Sequence, residues 1–485
     1  AFSMRFDAER AMADANALGE PRYAGTEGET RAAEWVGTEF EEAGLEVERC
    51  EVPAPRHVDL VEKVVGTLGV VLPATMWLLV SGKAAMACIL VGGAWLLLIL
   101  LGAFRWLAWL LPRGRTVNVT AGQRNASERP VRVLIVTHLD TPPRRWSDMM
   151  RAAVLLAAFF GFACLGQFLE VKPWRSHNVL LVTLAWALFG LVFCQLLLSR
   201  DPLLERLPQR TAVTLAAVCA VGILQFAAYR YPFVRPLIAG VWLGIVSTLM
   251  ILWMCEPWRR VGGPGEADNR SGLAVMLELA RRWPNSAREL VDARFGVGRP
   301  GEADSRSRLA ALLERAGSRP GSALDQIDVR FAALGGRAMS MAGAGALARD
   351  IQARWPAKPT LVVNLEAPGV GPLLVLSGEP QAVGILAGAA QSLWMPYQVV
   401  RPMSRYPRGH HPFARAGLTA VSVFSQQRSE PPFVGQLWWL PRDAVVEPAT
   451  LAETAQLVTE FALRWARQQT QEGGDSAARS SQKPG

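Results

Sequence analysis

Six long apolar runs without a charged side chain are the feature that most limits how this 485-residue chain can fold. Each run has 18 to 21 residues and contains no Asp, Glu, Lys or Arg. A helix needs about 20 apolar residues to cross the hydrocarbon core of a bilayer, and buried helices of other proteins rarely lack charge over that length. The sequence therefore predicts an integral membrane protein with six spans. These are 64–81, 84–104, 152–169, 179–198, 211–229 and 237–255.

Composition agrees with this interpretation. Hydrophobic residues make up 51% of the chain and charged residues 19%, and the mean hydropathy is positive. This balance departs from that of an ordinary soluble enzyme. Residues 1–57 are polar and have no basic start leading into a short apolar run. No cleavable secretory signal is therefore expected, and the first span would direct the chain to the membrane.

The spans form a pair and a set of four, and this arrangement decides where the polar segments lie. The pair predicts a two-helix membrane insertion at 61–112, and the set predicts a four-helix insertion at 149–255. Because both numbers are even, the polar segments lie on one side and can form one discontinuous domain. Lys and Arg are more frequent near the span ends on that side, which favours a cytoplasmic domain. The predicted domain comprises 1–60, 113–148 and 256–470, followed by a disordered tail at 471–485.

Net charge and cysteine spacing limit the kinds of partner. The formal net charge is +9, and many of the arginines flank the apolar runs. There they suit the anionic headgroups of a lipid bilayer better than a nucleic-acid groove. The six cysteines lie mostly within the apolar runs and show no paired spacing. A lipid bilayer is therefore the expected partner, with no role for nucleic acid, and neither a disulfide framework nor a thiolate zinc site is predicted.

The polar segments alternate between strand and helix patterns. The stretch "VRVLIVT" at 131–137 is apolar enough to be a central strand of a sheet. Helices are predicted where apolar residues recur at helical spacing. Strands that alternate with helices indicate a three-layer α/β/α sandwich with a mostly parallel mixed sheet. The other predicted strands are 45–52, 116–121, 360–367 and 418–425, and the helices are 28–45, 272–283, 379–394 and 448–468.

A 36-residue segment occurs twice in tandem, at 261–296 and at 297–332. The two copies are identical at 20 of the 36 positions, which shared composition does not produce. Two copies are too few for a solenoid. We interpret the region 261–332 as a duplication of one loop–helix–strand unit within the α/β domain.

Histidines and carboxylates stand at the ends of several predicted elements. His138 ends the strand 131–137, and Asp140 is placed to accept a hydrogen bond from its ring, as the carboxylate partners of metal-binding histidines do. A lone histidine at a strand end is more often structural. Several such groups at the strand ends of an open α/β sheet, however, converge at one edge and provide the ligands that zinc uses. The other groups are Asp268, Glu366, His410 and His411.

Five motifs carry a family resemblance over nearly all of the polar chain. They are "RYAGTEGETRAAEWVGTEFEEAGLEVE" (22–48), "THLDT" (137–141), "DNRSGLAVMLELA" (268–280), "NLEAPGVG" (364–371) and "HHPFARAG" (410–417). With these motifs in this order, the sequence resembles the co-catalytic zinc aminopeptidases of metallopeptidase family 28, which also include glutaminyl cyclases. The resemblance implies a zinc-aminopeptidase-like fold. It also implies hydrolysis of peptide bonds by metal-activated water, with a peptide or protein as substrate.

The resemblance further implies a role for each polar group. Asp140 would orient the ring of His138, a cis peptide bond would join Asp268 to Asn269, and His411 would be a neighbour of the site. The implied zinc ligands are His138 and Glu366 for the first metal, His410 for the second, and Asp268 bridging both.

The sequence departs from the family at an adjacent Glu-Glu pair, in which the first acid is the general base and the second binds the second zinc. The spacing from Phe331 to Gly343 places Arg337 and Ala338 there. Arginine cannot take a proton from water and alanine cannot bind a metal, so one zinc site is expected and the second lacks a ligand. If the first-copy strand occupied this place instead, Glu302 would stand at the second acid.

Three functions are compatible with these features. The first is a membrane-anchored zinc metallopeptidase of the aminopeptidase type with weak hydrolysis. The second is a non-catalytic pseudopeptidase that binds zinc or peptides. The third, a transporter with an appended domain, is disfavoured because the spans hold no charged residue of the kind that marks a substrate pathway.

Overall fold

The structure is a computed structural model that describes most of the polar chain and little of the apolar runs. Between 87 and 98, between 154 and 158 and between 231 and 247, only scattered residues are described. The continuously described ranges are 6–18, 22–55, 58–79, 104–111, 113–123, 129–141, 267–294, 327–337, 339–356, 358–369, 371–400, 409–426 and 446–481.

The described strands form one mixed sheet. They are β1 (Glu46–Pro55), β2 (Arg113–Gly122), β3 (Val131–His138), β4 (Ile327–Leu334), β5 (Thr360–Leu365), β6 (Leu373–Gly378), β7 (Tyr397–Val399) and β8 (Thr419–Gln426). Their order is β1-β2-β4-β3-β5-β8-β6-β7. Strands β4, β3, β5 and β8 run parallel, whereas β2 and β6 are antiparallel to their central neighbours. The mixed, centrally parallel sheet agrees with the α/β part of the predicted fold class.

Helices cover both faces of this sheet. The α-helices with described bounds are α1 (Ala8–Ala17), α2 (Glu27–Glu42), α3 (Val58–Leu79), α4 (Ala267–Arg294), α5 (Ala342–Arg354), α6 (Pro380–Ser392), α7 (His411–Arg415) and α8 (Pro448–Ser481). Side chains of α1, α2, α4, α6 and α8 pack in the core on one face, and side chains of α5 and α7 pack on the other. The result is three layers. Helix α8 continues to Ser481, through residues where composition predicted a disordered tail.

Strand β3 shows why the centre of the sheet reads as a continuous apolar run. It is buried along its whole length. Val133 and Ile135 face the core that contains α4, whereas Leu134 and Val136 face the core that contains α5. A strand covered on both faces needs apolar side chains at successive positions. Its parallel pairing with β4 and β5 brings the carboxyl ends of three strands to one edge.

The prediction of six transmembrane helices is wrong for the part of the chain that the structure describes. No helix there is both long enough and apolar enough to cross a membrane. The same finding contradicts the predicted localisation as an integral, multi-pass membrane protein. The apolar runs 179–198 and 211–229 lie outside the described residues, and only scattered residues are described in the runs 84–104, 152–169 and 237–255.

Helix α3 covers most of the first predicted span, 64–81, and shows the physical reason why the prediction of a membrane span is wrong there. Its early turns contain Glu62 and Lys63, both buried, and Pro73 lies inside it. The charge-free part of the helix, 64–79, is shorter than the roughly 20 residues that a bilayer core requires. Apolar side chains of α3 at every fourth position are nevertheless exposed, namely Leu60, Val64, Leu68, Leu72 and Met76.

The two copies of the duplicated segment do not fold alike. Residues 291–294 of the first copy are the last turn of α4, whereas their equivalents, 327–330 in the second copy, begin strand β4. The sheet position between β2 and β3 is therefore filled from the second copy. Glu302 lies outside the described residues.

Candidate functional site

The carboxyl edge of the central strands gathers four of the polar side chains that the sequence singles out. His138 ends β3, Glu366 directly follows β5, and Arg337 lies in the turn after β4. His410 directly precedes α7 and lies beside β8 through a contact with Ser422. Because parallel strands end at the same edge of a sheet, side chains far apart in sequence become neighbours.

His138 is the most unusual group in this row. It is 1% exposed, and neither ring nitrogen has a hydrogen-bond partner. Burial, together with the positive charge of Arg337, lowers the pKa of the imidazole to about 3, and the charge of Glu366 and the backbone of Leu334 oppose this only in part. The ring is therefore neutral near pH 7, which is the form that binds metals. Buried polar atoms without a partner are costly, and a bound ion would satisfy one of these nitrogens.

Asp140 does not hold the His138 ring in the way the sequence predicts. Its carboxylate is fully buried and accepts a hydrogen bond from the backbone N–H of Arg337, with an N–O distance of 2.9 Å. The ring of His138 does not donate to it. Asp140 thus fixes the turn after β4.

Glu366 and His410 are both held by hydrogen bonds. The Oε1 atom of Glu366 accepts the backbone N–H of Gly409 at 2.8 Å, and its own N–H donates to the carbonyl oxygen of Val423 at 3.0 Å. His410 is buried, with Nδ1 2.7 Å from Oγ of Ser422. A metal would therefore be bound by His410 through Nε2. The ring of His411 lies against that of His410, with a centroid distance of 4.5 Å.

Asp268 and Asn269 lie in the first turn of α4, which begins at Ala267. Their side chains lie outside the described part of the structure, and none of the described peptide bonds is cis. Helix α4 approaches the sheet closely at Gly272. A Cβ atom there would lie 2.4 Å from Oγ1 of Thr137 and 3.0 Å from the carbonyl oxygen of Leu365. Only glycine fits this contact, which brings the start of α4 close to the ends of β3 and β5.

The described side chains by themselves do not form a complete metal site. Among them, no group of three or more His, Cys, Asp or Glu residues is close enough to hold a metal ion. His138 and Glu366, at the ends of neighbouring strands, are two zinc ligands of the right chemistry. Arg337 takes the place where the resemblance implies an acid, with Nη2 3.9 Å from Oε1 of Glu366. Ala338 lies outside the described residues.

Sequence reasoning missed Glu29, a buried glutamate of α2 behind the turn after β4. Its Oε2 atom accepts the N–H of Gly25 at 2.7 Å, and its Oε1 atom accepts the hydroxyl of Thr116. Burial raises the pKa of Glu29 to about 7, and the nearby charge of Asp140 raises it as well. One signal was available, because Glu29 lies on the apolar face of α2 three residues before Ala32. A carboxylate at a buried position near the start of a helix either becomes exposed when the helix end frays or is hydrogen-bonded inside the protein.

We expect the unfolding free energy to fall as pH rises, because of Glu29. The folded-state pKa is about 7 and the ordinary value is 4.5. The carboxyl therefore contributes its full stability below pH 4.5 and loses it as pH rises to 7, by up to about 3 kcal/mol. Urea unfolding between pH 5 and 8 would measure this slope. Glu29→Gln should flatten it, whereas Glu27→Gln, at an exposed position of the same helix, should leave it unchanged. An equal slope in all three proteins would contradict the assignment.

No protein-family model matches the chain, and no relative is found among curated proteins. Solved structures do show similarity. A glutaminyl cyclase from Fimbriiglobus ruber is 13% identical, with a TM-score of 0.45, over 96% of this chain and 97% of that one. A zinc-dependent exopeptidase from Parabacteroides distasonis is 11% identical, with a TM-score of 0.42, over 94% and 98%. A zinc aminopeptidase from Bacillus subtilis is 12% identical, with a TM-score of 0.44, over 95% of each chain.

The structural neighbours are thus zinc-dependent exopeptidases and aminopeptidases together with a glutaminyl cyclase. All have low identity and TM-scores below 0.5. The predicted likeness to zinc aminopeptidases is therefore found in part. Membership of metallopeptidase family 28 stays a prediction.

Proposed function

We propose that this chain is a zinc-dependent hydrolase of the aminopeptidase type that acts on peptides. One zinc would be held by His138, by Glu366 and by Asp268 from the first turn of α4. The observation that carries the proposal is the His138 ring, which is buried and neutral, has no hydrogen-bond partner at either nitrogen and lies at the same sheet edge as Glu366. A buried, neutral imidazole without a hydrogen-bond partner either binds a metal ion or destabilises the folded state.

The chain contributes a prearranged set of groups around such a metal. When bound, zinc supplies Lewis-acid polarisation of a carbonyl group and lowers the pKa of a water molecule. The Gly409 N–H donates to the Glu366 carboxylate and fixes its position. The carboxylate would therefore not have to change its position when it binds zinc. Ser422 fixes Nδ1 of His410 and so sets the orientation of the ring. One metal is favoured over a second because the second would keep His410 but lack the acid that Ala338 replaces.

Turnover should be slow because a cation stands where a base is expected. Arg337 remains protonated at all working pH values and cannot accept a proton from water. General-base catalysis typically contributes about 10²–10⁴-fold to the rate. A protein that lacks this contribution would hydrolyse aminoacyl substrates weakly.

The test is metal content measured together with hydrolysis. We expect about one zinc per chain after dialysis, and slow cleavage of aminoacyl p-nitroanilides or dipeptides. Chelation should abolish the cleavage, and added zinc should restore it. A chain that retains no zinc, or a cleavage that chelation leaves unchanged, would show that the proposed function is wrong. Binding of zinc without any cleavage would contradict the hydrolase assignment and leave only a zinc-binding domain.

A further inference from the structure

The side chain of Arg337 is the most accessible charged group of the described site. Its side chain is 21% exposed, compared with 10% for that of Glu366, while His138 and His410 are almost completely buried. A ligand that reaches this edge of the sheet from solvent therefore meets the guanidinium group before it meets the buried groups behind. The accessible position of the guanidinium is the first observation behind the inference.

The turn that carries Arg337 is held rigidly. Its backbone N–H donates to Asp140 at 2.9 Å, and the N–H of Gly335 donates to Oδ1 of Asn118 at 3.1 Å. A Cβ atom on Gly335 would lie 2.1 Å from Oγ1 of Thr116 and 2.4 Å from Oε1 of Glu29, so the turn fits tightly against α2 and β2. A rigid turn does not have to be ordered when a ligand binds, which removes one part of the entropy cost of binding.

The charges nearby determine which ligand group Arg337 suits. Its Nη2 atom is 3.9 Å from Oε1 of Glu366, an ion-pair distance that is longer than a hydrogen bond. That oxygen already accepts the N–H of Gly409. Arginine presents a planar fork of donors that matches a carboxylate. A ligand carboxylate beside Arg337 would therefore form short charge-assisted hydrogen bonds with this fork of donors.

We propose that Arg337 is a specificity-determining residue that binds a carboxylate of the ligand. The site would thus select peptides that carry a carboxylate next to the bond facing His138. The carboxylate is either the free C-terminus of a dipeptide or an acidic side chain. This inference rests on the proposed function, because it takes the ligand to be a peptide bound at that site.

Titration calorimetry of the full chain with three ligands tests the inference. The ligands are Leu-Gly, Leu-Gly amide and Leu-Asp amide, of which the first offers a free C-terminus, the second no carboxylate and the third an acidic side chain. We expect at least one carboxylate ligand to bind about tenfold more tightly than Leu-Gly amide. The ligand that shows the preference identifies the source of the carboxylate.

Variants make the assignment specific to Arg337. Arg337→Ala should remove the preference, because it makes acid and amide bind equally, while Arg337→Lys should keep part of it. Arg354→Ala, which removes an exposed arginine of α5 that pairs with Glu48, is the matched control and should keep all of it. Equal binding of all three ligands, no binding of any of them, or a preference that survives in Arg337→Ala would overturn the inference.

The titrations are repeated with zinc-loaded and chelated protein. This separates a failure of the role proposed for Arg337 from a failure of the proposed zinc-dependent function. A chain that binds zinc and cleaves peptides but shows no carboxylate preference would contradict only the role of Arg337. A carboxylate preference that depends on Arg337 in a chain that holds no zinc would contradict only the proposed function.

Discussion

Replacing His138 by alanine is expected to weaken zinc binding at least about 100-fold and to abolish the zinc-dependent cleavage. The reason is the position of the ring at the end of β3, where a buried, neutral imidazole beside Glu366 can donate an electron pair to zinc. Without it, Glu366 and Asp268 are the proposed ligands that remain, and two carboxylates bind zinc only weakly in water. Zinc content of the dialysed protein and a competition titration against a chelator would measure the loss.

The effect of His138→Ala on the metal-free protein should be small by comparison. Burial of two nitrogens without a partner costs about 1–3 kcal/mol, and removal of the ring relieves that cost while it leaves a cavity. Zinc should therefore raise the melting temperature of the unmodified chain and not that of the variant.

A neighbouring histidine provides the control. His411→Ala removes the ring that lies against His410 and should keep zinc binding close to that of the unmodified chain. If His138→Ala bound zinc as tightly as the unmodified chain, or if His411→Ala lost zinc to the same extent, the assignment of His138 as a ligand would be wrong.

Asp328→Asn should give the largest loss of stability, about 3–5 kcal/mol. Asp328 lies in β4 with its side chain fully buried, and its carboxylate is the counter-ion of three cations. Nε and Nη2 of Arg132 lie 2.8 and 2.7 Å from its Oδ2 atom, and Nζ of Lys358 lies 3.1 Å from the same oxygen. Nε of Arg330 lies 3.2 Å from Oδ1. Asparagine has nearly the same shape but no charge, so it would leave these cations unpaired.

Arg132 makes this loss severe because it cannot move into solvent. Its side chain is 1% exposed, and its guanidinium lies over the ring of Trp355 at 3.7 Å from the centroid. A charge that is buried and has lost its partner costs far more than the pair itself contributes. Urea unfolding at pH 7 would measure the change.

The exposed ion pair between Arg115 and Glu51 is the control for Asp328. Its N–O distance is as short, at 2.6 Å, but both side chains are mostly exposed. Glu51→Gln should therefore cost less than about 1 kcal/mol. A similar, small loss for Asp328→Asn would show that the buried cluster contributes no more than a surface pair.

Much of the α/β architecture could be predicted from the sequence because its signals are local. The apolar stretch 131–137 became β3, and helical spacing at 272–283 became part of α4. Helix bounds were less accurate, since α4 runs from Ala267 to Arg294 and includes the end of the first duplicated copy. That end, VDAR at 291–294, is similar in sequence to the start of β4, IDVR at 327–330. A local pattern cannot say which copy enters the sheet.

The apolar runs produced the clearest error. Length and absence of charge predicted six spans, yet α3, which covers the first of them, includes buried Glu62 and Lys63 and an internal Pro73. The length of an uncharged run does not tell where the helix begins. Helix α3 begins before the run and so includes the charged residues in front of it. No described helix meets the requirement for a span.

The sequence by itself determined where five of the described strands lie and placed His138 and Glu366 at strand ends, because side-chain periodicity reports burial. Only the tertiary structure decided which of these groups meet. The parallel pairing of β4, β3 and β5 brings Arg337 within 3.9 Å of Glu366 and beside His138, and it turns Asp140 toward the Arg337 backbone. The physical reason is that sheet order joins segments far apart in the chain, and no local pattern encodes those distances.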